Sequence, residues 1–128
     1  MRKKNGNQYE VLIIDDSKLV HRMEKEVIDK LDLKLSGTAK NGKEGVKKYK
    51  ELLPDLVLMD LTMPLMNGLK ASEEILEYNK EANIIVVSAM SDIDIRKQVK
   101  KIGINNFIEK PLDEEKLKKI LKKILKNN

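Results

Sequence analysis

The sequence predicts one α/β domain with a five-stranded parallel sheet and helices on both of its faces. Two observations carry this prediction. Short apolar runs alternate with longer amphipathic segments five times along the 128 residues, and repeated strand–helix units build parallel sheets. The runs at 56–58 and 84–87 consist only of Val, Ile and Leu, which is typical of strands buried on both faces.

The first five elements follow from local patterns. Runs of apolar residues predict strands, and apolar residues spaced three or four apart predict helices. The elements are a strand at 9–15, a helix at 17–31, a strand at 33–39, a helix at 42–53 and a strand at 55–60. The predicted inner helix faces consist of Val20, Met23, Val27 and Leu31 in the first helix and of Val46, Tyr49 and Leu53 in the second.

The remaining five elements follow the same rules. They are a helix at 69–79, a strand at 83–88, a helix at 91–102, a strand at 104–109 and a helix at 113–126. Asp113 is a good N-cap for the last helix. The apolar stripes of the last two helices consist of Ile95, Val99 and Ile102 and of Leu117, Ile120, Leu121, Ile124 and Leu125.

The composition is that of a folded domain spanning residues 1–128. Hydrophobic residues make up 41% and charged residues 37% of the chain, a balance typical of globular proteins. The absence of cysteine excludes disulfides and thiolate metal sites. No apolar stretch approaches the ~20 residues of a membrane span, and the start does not resemble a signal peptide. We therefore expect a cytoplasmic protein with no membrane partner.

The positive charge of the chain does not indicate nucleic-acid binding. The formal net charge is +5, but only Arg2, Arg22 and Arg96 among the 26 basic residues are arginine. Lysine reads base edges less well than arginine, and 3% aromatic residues give little surface for base stacking. We expect a solvated lysine-rich surface and no direct contact with nucleic acid.

Polar residues stand at the carboxyl ends of four predicted strands. Asp15 and Asp16 end the first strand, Asp60 the third, Ser88 the fourth and Lys110 the fifth. In open α/β sheets, ligands bind at this edge. We therefore expect these five side chains to form one site.

These residue types predict phosphoryl transfer assisted by Mg²⁺. Three neighbouring carboxylates repel one another unless a cation joins them, and oxygen ligands completed by water and phosphate suit Mg²⁺. Asp60 is the natural nucleophile, since carboxylates form aspartyl phosphates. The Lys110 charge and the Ser88 hydroxyl would stabilise the phosphoryl oxygens.

Four stretches of the sequence resemble one known family. They are VLIIDDS at 11–17, DLVLMDLTMPLMNG at 55–68, IIVVSAM at 84–90 and FIEKP at 107–111. In this order they resemble the receiver domains of two-component response regulators, most closely the chemotaxis members, over about residues 8–126. The resemblance implies the flavodoxin-like strand order 2-1-3-4-5, of which the chemotaxis receiver is itself a standard example.

The resemblance implies a metal site and a phosphoacceptor. Asp60 matches the phosphoacceptor. Asp16, Asp60 and the backbone carbonyl of Thr62 match direct Mg²⁺ ligands, and Asp15 matches a ligand that acts through water. Thr62 and Met90 match the positions that tune the lifetime of the phosphoryl group.

The resemblance also implies a switch. Ser88 matches the switch hydroxyl, Phe107 the switch aromatic and Lys110 the site lysine, with a cis bond to Pro111. Phosphorylation would draw Ser88 toward the phosphoryl group and let Phe107 turn inward. Ile104 is bulkier than the alanine that the family often has beside this aromatic.

The implied function is a phosphorylation-activated switch rather than an enzyme for other substrates. The protein would catalyse only its own phosphorylation and dephosphorylation. Its expected partners are a chemotaxis-type histidine kinase, an output protein such as the flagellar motor switch, and a phosphatase. The output protein would bind the face made by the fourth helix, fifth strand and fifth helix. We expect a monomer.

Several alternatives stay open. The chain could be a stand-alone phosphorelay intermediate, or the receiver of a longer DNA-binding regulator. A small aspartyl-phosphate phosphatase would need Asp-x-Asp after the first strand, where this chain has adjacent Asp15 and Asp16. A flavin carrier would need a Ser/Thr/Gly-rich loop and more aromatic residues.

Three weaker signals have simple structural interpretations. His21 is the only histidine, and without a second ligand at helical spacing we expect it to be a solvated surface residue. Asn41 should lie near the N-cap of the second helix. We expect Met59, Met63 and Met66 to fill core and loop space.

Overall fold

The computed structural model describes residues 2–125 and contains the ten predicted elements in the predicted order. The strands are β1 (Glu10–Ile14), β2 (Lys34–Ala39), β3 (Leu56–Met59), β4 (Ile84–Ser88) and β5 (Asn106–Glu109). The helices are α1 (Lys18–Lys30), α2 (Gly42–Leu52), α3 (Gly68–Tyr78), α4 (Ile93–Lys101) and α5 (Glu114–Ile124). Lys126, where the predicted last helix ends, lies outside the described residues.

The five strands form one parallel sheet in the order β2-β1-β3-β4-β5. The predicted order 2-1-3-4-5 is therefore confirmed. The chain moves outward from β1 to β2 and then returns to the other side of β1 to build β3. This reversal leaves a crevice beyond the carboxyl ends of β1 and β3, where ligands bind in such sheets.

Each helix begins at a polar N-cap. The side chain of each cap accepts a hydrogen bond from a backbone N–H of the first helical turn, which satisfies a donor that the helix itself leaves free. Asn41 caps α2, as predicted. The caps of α1 to α5 are Ser17, Asn41, Asn67, Asp92 and Asp113.

The core has two layers, one on each face of the sheet. Along β1, Leu12 and Ile14 face the layer beneath α2, α3 and α4, whereas Val11 and Ile13 face the layer beneath α1 and α5. This alternation is the two-residue period of a strand. The predicted stripes of α4 and α5 pack on these layers, as do Met59, Met63 and Met66.

Two predicted helix faces are partly wrong. In α1 the buried residues are Glu24 and Ile28, whereas Met23 is 44% exposed, because the helix is rotated relative to its apolar stripe. In α2 the predicted Leu53 is 60% exposed. It lies beyond the last helical residue in the left-handed conformation that ends many helices.

None of the helices within residues 2–125 is long and apolar enough to span a membrane.

Candidate functional site

Three carboxylates meet at the carboxyl ends of β1 and β3. Asp15, Asp16 and Asp60 each offer an oxygen atom, and these atoms lie within 4.8 Å of one another. Asp15 and Asp60 are buried, with 2% and 5% of their surface exposed, whereas Asp16 is exposed. One exposed and two buried carboxylates form an all-oxygen donor set that fits a small, hard cation such as Mg²⁺.

Lys110 lies directly against this cluster. Its Nζ atom is 2.8 Å from the Asp15 carboxylate and 3.3 Å from that of Asp60. The backbone holds the side chain in place, because the Lys110 N–H donates to the Ser88 carbonyl oxygen at 2.9 Å. The structure thus brings together four of the predicted site residues from β1, β3 and the end of β5.

The electrostatics of the cluster oppose full ionisation. Burial raises the pKa of Asp60, and the negative charge of Asp15 raises it further, although Lys110 counteracts both effects. Burial lowers the pKa of Lys110, but its hydrogen bond to Asp15 and the charges of Asp15 and Asp60 outweigh burial and leave that pKa raised. A second cation would therefore be bound favourably.

Ser88 ends β4, the strand next to β3. It is buried, and its Oγ accepts a hydrogen bond from the Met90 N–H at 3.0 Å. The Thr62 hydroxyl donates to the Met90 sulfur at 3.2 Å. The sequence indicated Thr62 and Met90 as separate positions, and the structure shows that their side chains touch.

The loop after β3 closes tightly onto the end of that strand. The Gly68 N–H donates to the Leu61 carbonyl at 3.0 Å. A Cβ atom at Gly68 would lie 1.9 Å from the backbone oxygen of Asp60, so no larger residue fits. The start of α3 is therefore packed against the backbone that carries Asp60.

Phe107 lies on β5 at the edge of the site. It is half-buried and packs against the core layer beneath α2, α3 and α4. The Arg96 guanidinium carbon lies 4.3 Å from the centroid of its ring. Ile104 is buried in the same layer, and the Lys110–Pro111 bond is cis, as predicted.

Sequence reasoning missed Glu24. This α1 residue is only 3% exposed, and burial, followed by the negative charges of Asp15 and Asp60, raises its pKa to about 8, although Lys110 counteracts them. The spacing of apolar residues along the first helix did not indicate that an acidic residue would be buried there. A fourth acid therefore lies near the three predicted carboxylates.

The interpretation of His21 as a solvated residue was wrong. The residue is half-buried, and its Nε2 atom lies 2.6 Å from the Asp15 carbonyl oxygen. His21 therefore ties the first turn of α1 to the end of β1. No sequence pattern indicates this contact, because it depends on how α1 turns back over the strand.

Comparison with known proteins identifies the family. Residues 11–122 match the response regulator receiver domain. This chain belongs to that family. It is 43% identical to the chemotaxis protein CheY of Thermotoga maritima, over 91% of this chain and 97% of that protein. It is 39% identical to CheY of Treponema pallidum, over 98% of this chain and 88% of that protein.

A solved structure supports the same assignment. The fold matches a chain of the CheX–CheY–BeF₃–Mg²⁺ complex from Borrelia burgdorferi with a TM-score of 0.92 and 31% sequence identity. The match covers 98% of this receiver domain and 95% of that chain. The protein is therefore a CheY-like receiver, which is consistent with phosphorylation-dependent signalling.

Proposed function

We propose that this protein is a signalling switch activated by phosphorylation of Asp60. The observation that carries the proposal is the cluster of Asp15, Asp16 and Asp60 with Lys110 placed 3.3 Å from the Asp60 carboxylate. Asp60 is buried at the sheet edge, and a phosphoryl group bound to it would have both a metal site and a lysine beside it.

The residues divide the chemistry among them. A carboxylate oxygen of Asp60 forms a bond to phosphorus as the bond between phosphorus and the donor histidine nitrogen breaks. Asp16, Asp60 and the Thr62 carbonyl would hold Mg²⁺, with Asp15 acting through water. When bound there, the ion would supply positive charge to the phosphoryl oxygens. Lys110 is near enough to pair with a further oxygen. Later attack of water on phosphorus breaks its bond to the Asp60 oxygen, which releases inorganic phosphate and restores the free carboxylate.

Ser88 and Phe107 would carry the signal away from the site. The Ser88 hydroxyl is bonded to the Met90 N–H, and we propose that it moves to donate to the phosphoryl group. Phe107 would then turn inward and reshape the face of α4, β5 and α5. A local charge change of this kind biases an element that has two states.

The proposed partners follow from this scheme and from the relatives. A histidine kinase, of the chemotaxis type, would supply the phosphoryl group. An output protein, such as the flagellar motor switch, would bind the α4–β5–α5 face, and a phosphatase would end the signal. The structure from Borrelia burgdorferi pairs its CheY with CheX, and a similar partner fits here. We further propose a cytoplasmic monomer that catalyses only its own modification.

The test of the proposal is chemical labelling of Asp60. The native protein and Asp60→Asn are incubated with acetyl phosphate and Mg²⁺ and measured by intact mass spectrometry, with circular dichroism to check the fold. We expect one phosphoryl group on the native protein, none on Asp60→Asn, and none on either protein after EDTA removes Mg²⁺. Equal labelling of both proteins would contradict the assignment.

A further inference from the structure

Arg96 connects two segments that the proposed switch needs to move. Its guanidinium carbon lies 4.3 Å from the centroid of the Phe107 ring, well inside the ~6 Å reach of a cation–π contact. Its Nε atom donates a hydrogen bond to the Ser91 carbonyl oxygen at 3.1 Å. One exposed side chain therefore joins β5 to the loop between β4 and α4.

The same loop follows Ser88, the buried last residue of β4. The Ser88 Oγ accepts from the Met90 N–H at 3.0 Å, and Ser91, which anchors Arg96, is the next residue. Only the Met90–Ser91 peptide unit therefore separates the hydroxyl's partner from the anchor of the guanidinium. A displacement of Ser88 that breaks its bond to Met90 would move the Ser91 carbonyl as well.

Phe107 is held from two directions. It packs against a core layer that contains the buried residues Val99 and Ile104. Arg96 precedes Val99 by one helical turn on α4, but it is exposed, so the guanidinium reaches the ring from the solvent side. The ring is thus in contact with both the core and a cation whose position depends on the loop.

We propose that Arg96 is a positioning residue that holds Phe107 in its half-exposed position until the loop after Ser88 moves. The inference rests on the proposed function, because that function supplies the movement of Ser88. When the loop shifts, the guanidinium loses its Ser91 anchor, the ring is free to turn inward, and Arg96 becomes available to a carboxylate of the output partner. Arg96 thus couples the two halves of the switch.

The role requires arginine rather than any cation. A guanidinium can stack its plane on a ring while its Nε–H donates to a carbonyl, whereas a lysine ammonium is a compact, strongly hydrated point charge with no plane to stack. We therefore expect Arg96→Lys to keep the charge but to restrain the Phe107 ring much less than arginine does. Lys97, the next residue on α4, is also exposed, and the cation over the ring is Arg96, so Lys97→Ala is the matched control.

The single phenylalanine of the chain makes a direct test possible. Protein grown with para-fluorophenylalanine gives one fluorine NMR signal, which reports the surroundings of Phe107. The native protein, Arg96→Ala, Arg96→Lys and Lys97→Ala are titrated with BeF₃⁻ in the presence of Mg²⁺. Acetyl phosphate labelling, measured by intact mass, is carried out on the same four proteins.

We expect Arg96→Ala to shift the fluorine signal before any ligand is added. It should also lower the BeF₃⁻ concentration at half-change by about two- to fivefold, the ratio that corresponds to an exposed cation–π contact. Arg96→Lys should behave more like Arg96→Ala than like the native protein. Lys97→Ala should match the native protein in both respects.

The outcomes separate this inference from the proposed function. If the native protein responds to BeF₃⁻ and is labelled, but Arg96→Ala has the native signal and midpoint, the role of Arg96 is overturned. If the native protein neither responds nor is labelled, the proposed function fails. In that case the ligand-free spectra still test whether Arg96 positions the Phe107 ring. An unchanged fluorine signal in Arg96→Ala contradicts that role, and a shifted signal supports it.

Discussion

Each end of the sheet carries a lysine that pairs with a buried or half-buried carboxylate. The two ends differ in the number of carboxylates that each lysine must neutralise. At the amino end, the Lys3 Nζ lies 2.9 Å from Asp55, and the two side chains are 31% and 26% exposed. At the carboxyl end, Lys110 faces Asp15 and Asp60, whose side chains are only 3% and 6% exposed. There, one lysine pairs with two buried acids.

This difference distinguishes a structural ion pair at the amino end from a candidate functional site at the carboxyl end. The hydrogen bond to Asp55 raises the pKa of Lys3, as expected of a simple pair. At the carboxyl end, burial and a neighbouring carboxylate raise the pKa of Asp60 instead. Uncompensated acids held in a buried cluster cost stability, and perturbed groups of this kind are concentrated at functional sites. The excess negative charge at the carboxyl end favours the binding of a hard divalent cation such as Mg²⁺.

The largest effect that we predict is the response of Glu24 to pH. The pKa of this group rises from 4.5 to about 8 on folding. Between these values the folded state keeps a proton that the unfolded state has released, so stability is full below the lower value and falls as pH rises through the higher one. The loss corresponds to about 1.4 kcal/mol per pH unit, or roughly 4–5 kcal/mol in total.

Glu24→Gln tests this response, since Gln cannot ionise. Urea unfolding without Mg²⁺ should give both proteins similar stability at acidic pH, and the variant should become the more stable of the two at alkaline pH. Glu26→Gln, a change on the exposed side of the same helix, is the control and should follow the native curve. A difference that stays constant with pH would show that Glu24 does not titrate in this window.

The next effect compares the two lysines directly. Lys110→Ala leaves two buried carboxylates without their cation and should lower the free energy of unfolding by about 3 kcal/mol. Lys3→Ala removes a more exposed pair and should cost less than about 1 kcal/mol. Urea unfolding of both variants measures the two changes in the free energy of unfolding. Equal changes would contradict the distinction between a structural ion pair at the amino end and a functional cluster at the carboxyl end.

Lys110→Ala should also cripple the response to phosphorylation. The fluorine signal of Phe107 should then stay in its ligand-free position when BeF₃⁻ and Mg²⁺ are added. Lys3→Ala provides the control, because its site lies at the opposite edge of the sheet. A normal shift in Lys110→Ala would argue that the lysine serves stability alone.

The smallest predicted effect concerns the contact between Thr62 and Met90. Thr62→Val removes the hydroxyl donor and Met90→Leu removes the sulfur acceptor, so each should change the phosphoryl lifetime by about two- to fivefold, equivalent to ~0.5–1 kcal/mol. The lifetime is measured by intact mass spectrometry, from the rate at which the phosphorylated species disappears after acetyl phosphate is removed. Because the two side chains touch, the double variant should change less than the product of the single effects.

The sequence was sufficient for the sheet and for the residues at its carboxyl edge. Parallel strands end at the same edge, so the acids after β1 and β3 and the lysine after β5 could be brought together without coordinates. The resemblance to receiver domains supplied the strand order and the roles that the residues leave open.

Contacts that depend on helix rotation could not be predicted in the same way. Glu24 is buried because α1 turns that side toward the sheet, and a pattern that counts only apolar residues does not register a buried acid. The contacts between Arg96 and Phe107 and between His21 and the Asp15 carbonyl depend on side-chain direction across separate elements. Spacing along the chain does not contain that information.

The missing side chain at Gly68 has a consequence for protein engineering. Even a methyl group there would meet the Asp60 backbone oxygen at 1.9 Å, so this end of the loop cannot absorb added atoms. Leu65 lies midway along the same loop, is 83% exposed and has a positive φ of 65°. A fluorescent reporter attached at position 65 would therefore point into solvent and leave the loop intact, whereas one attached at position 68 would displace the backbone that carries Asp60.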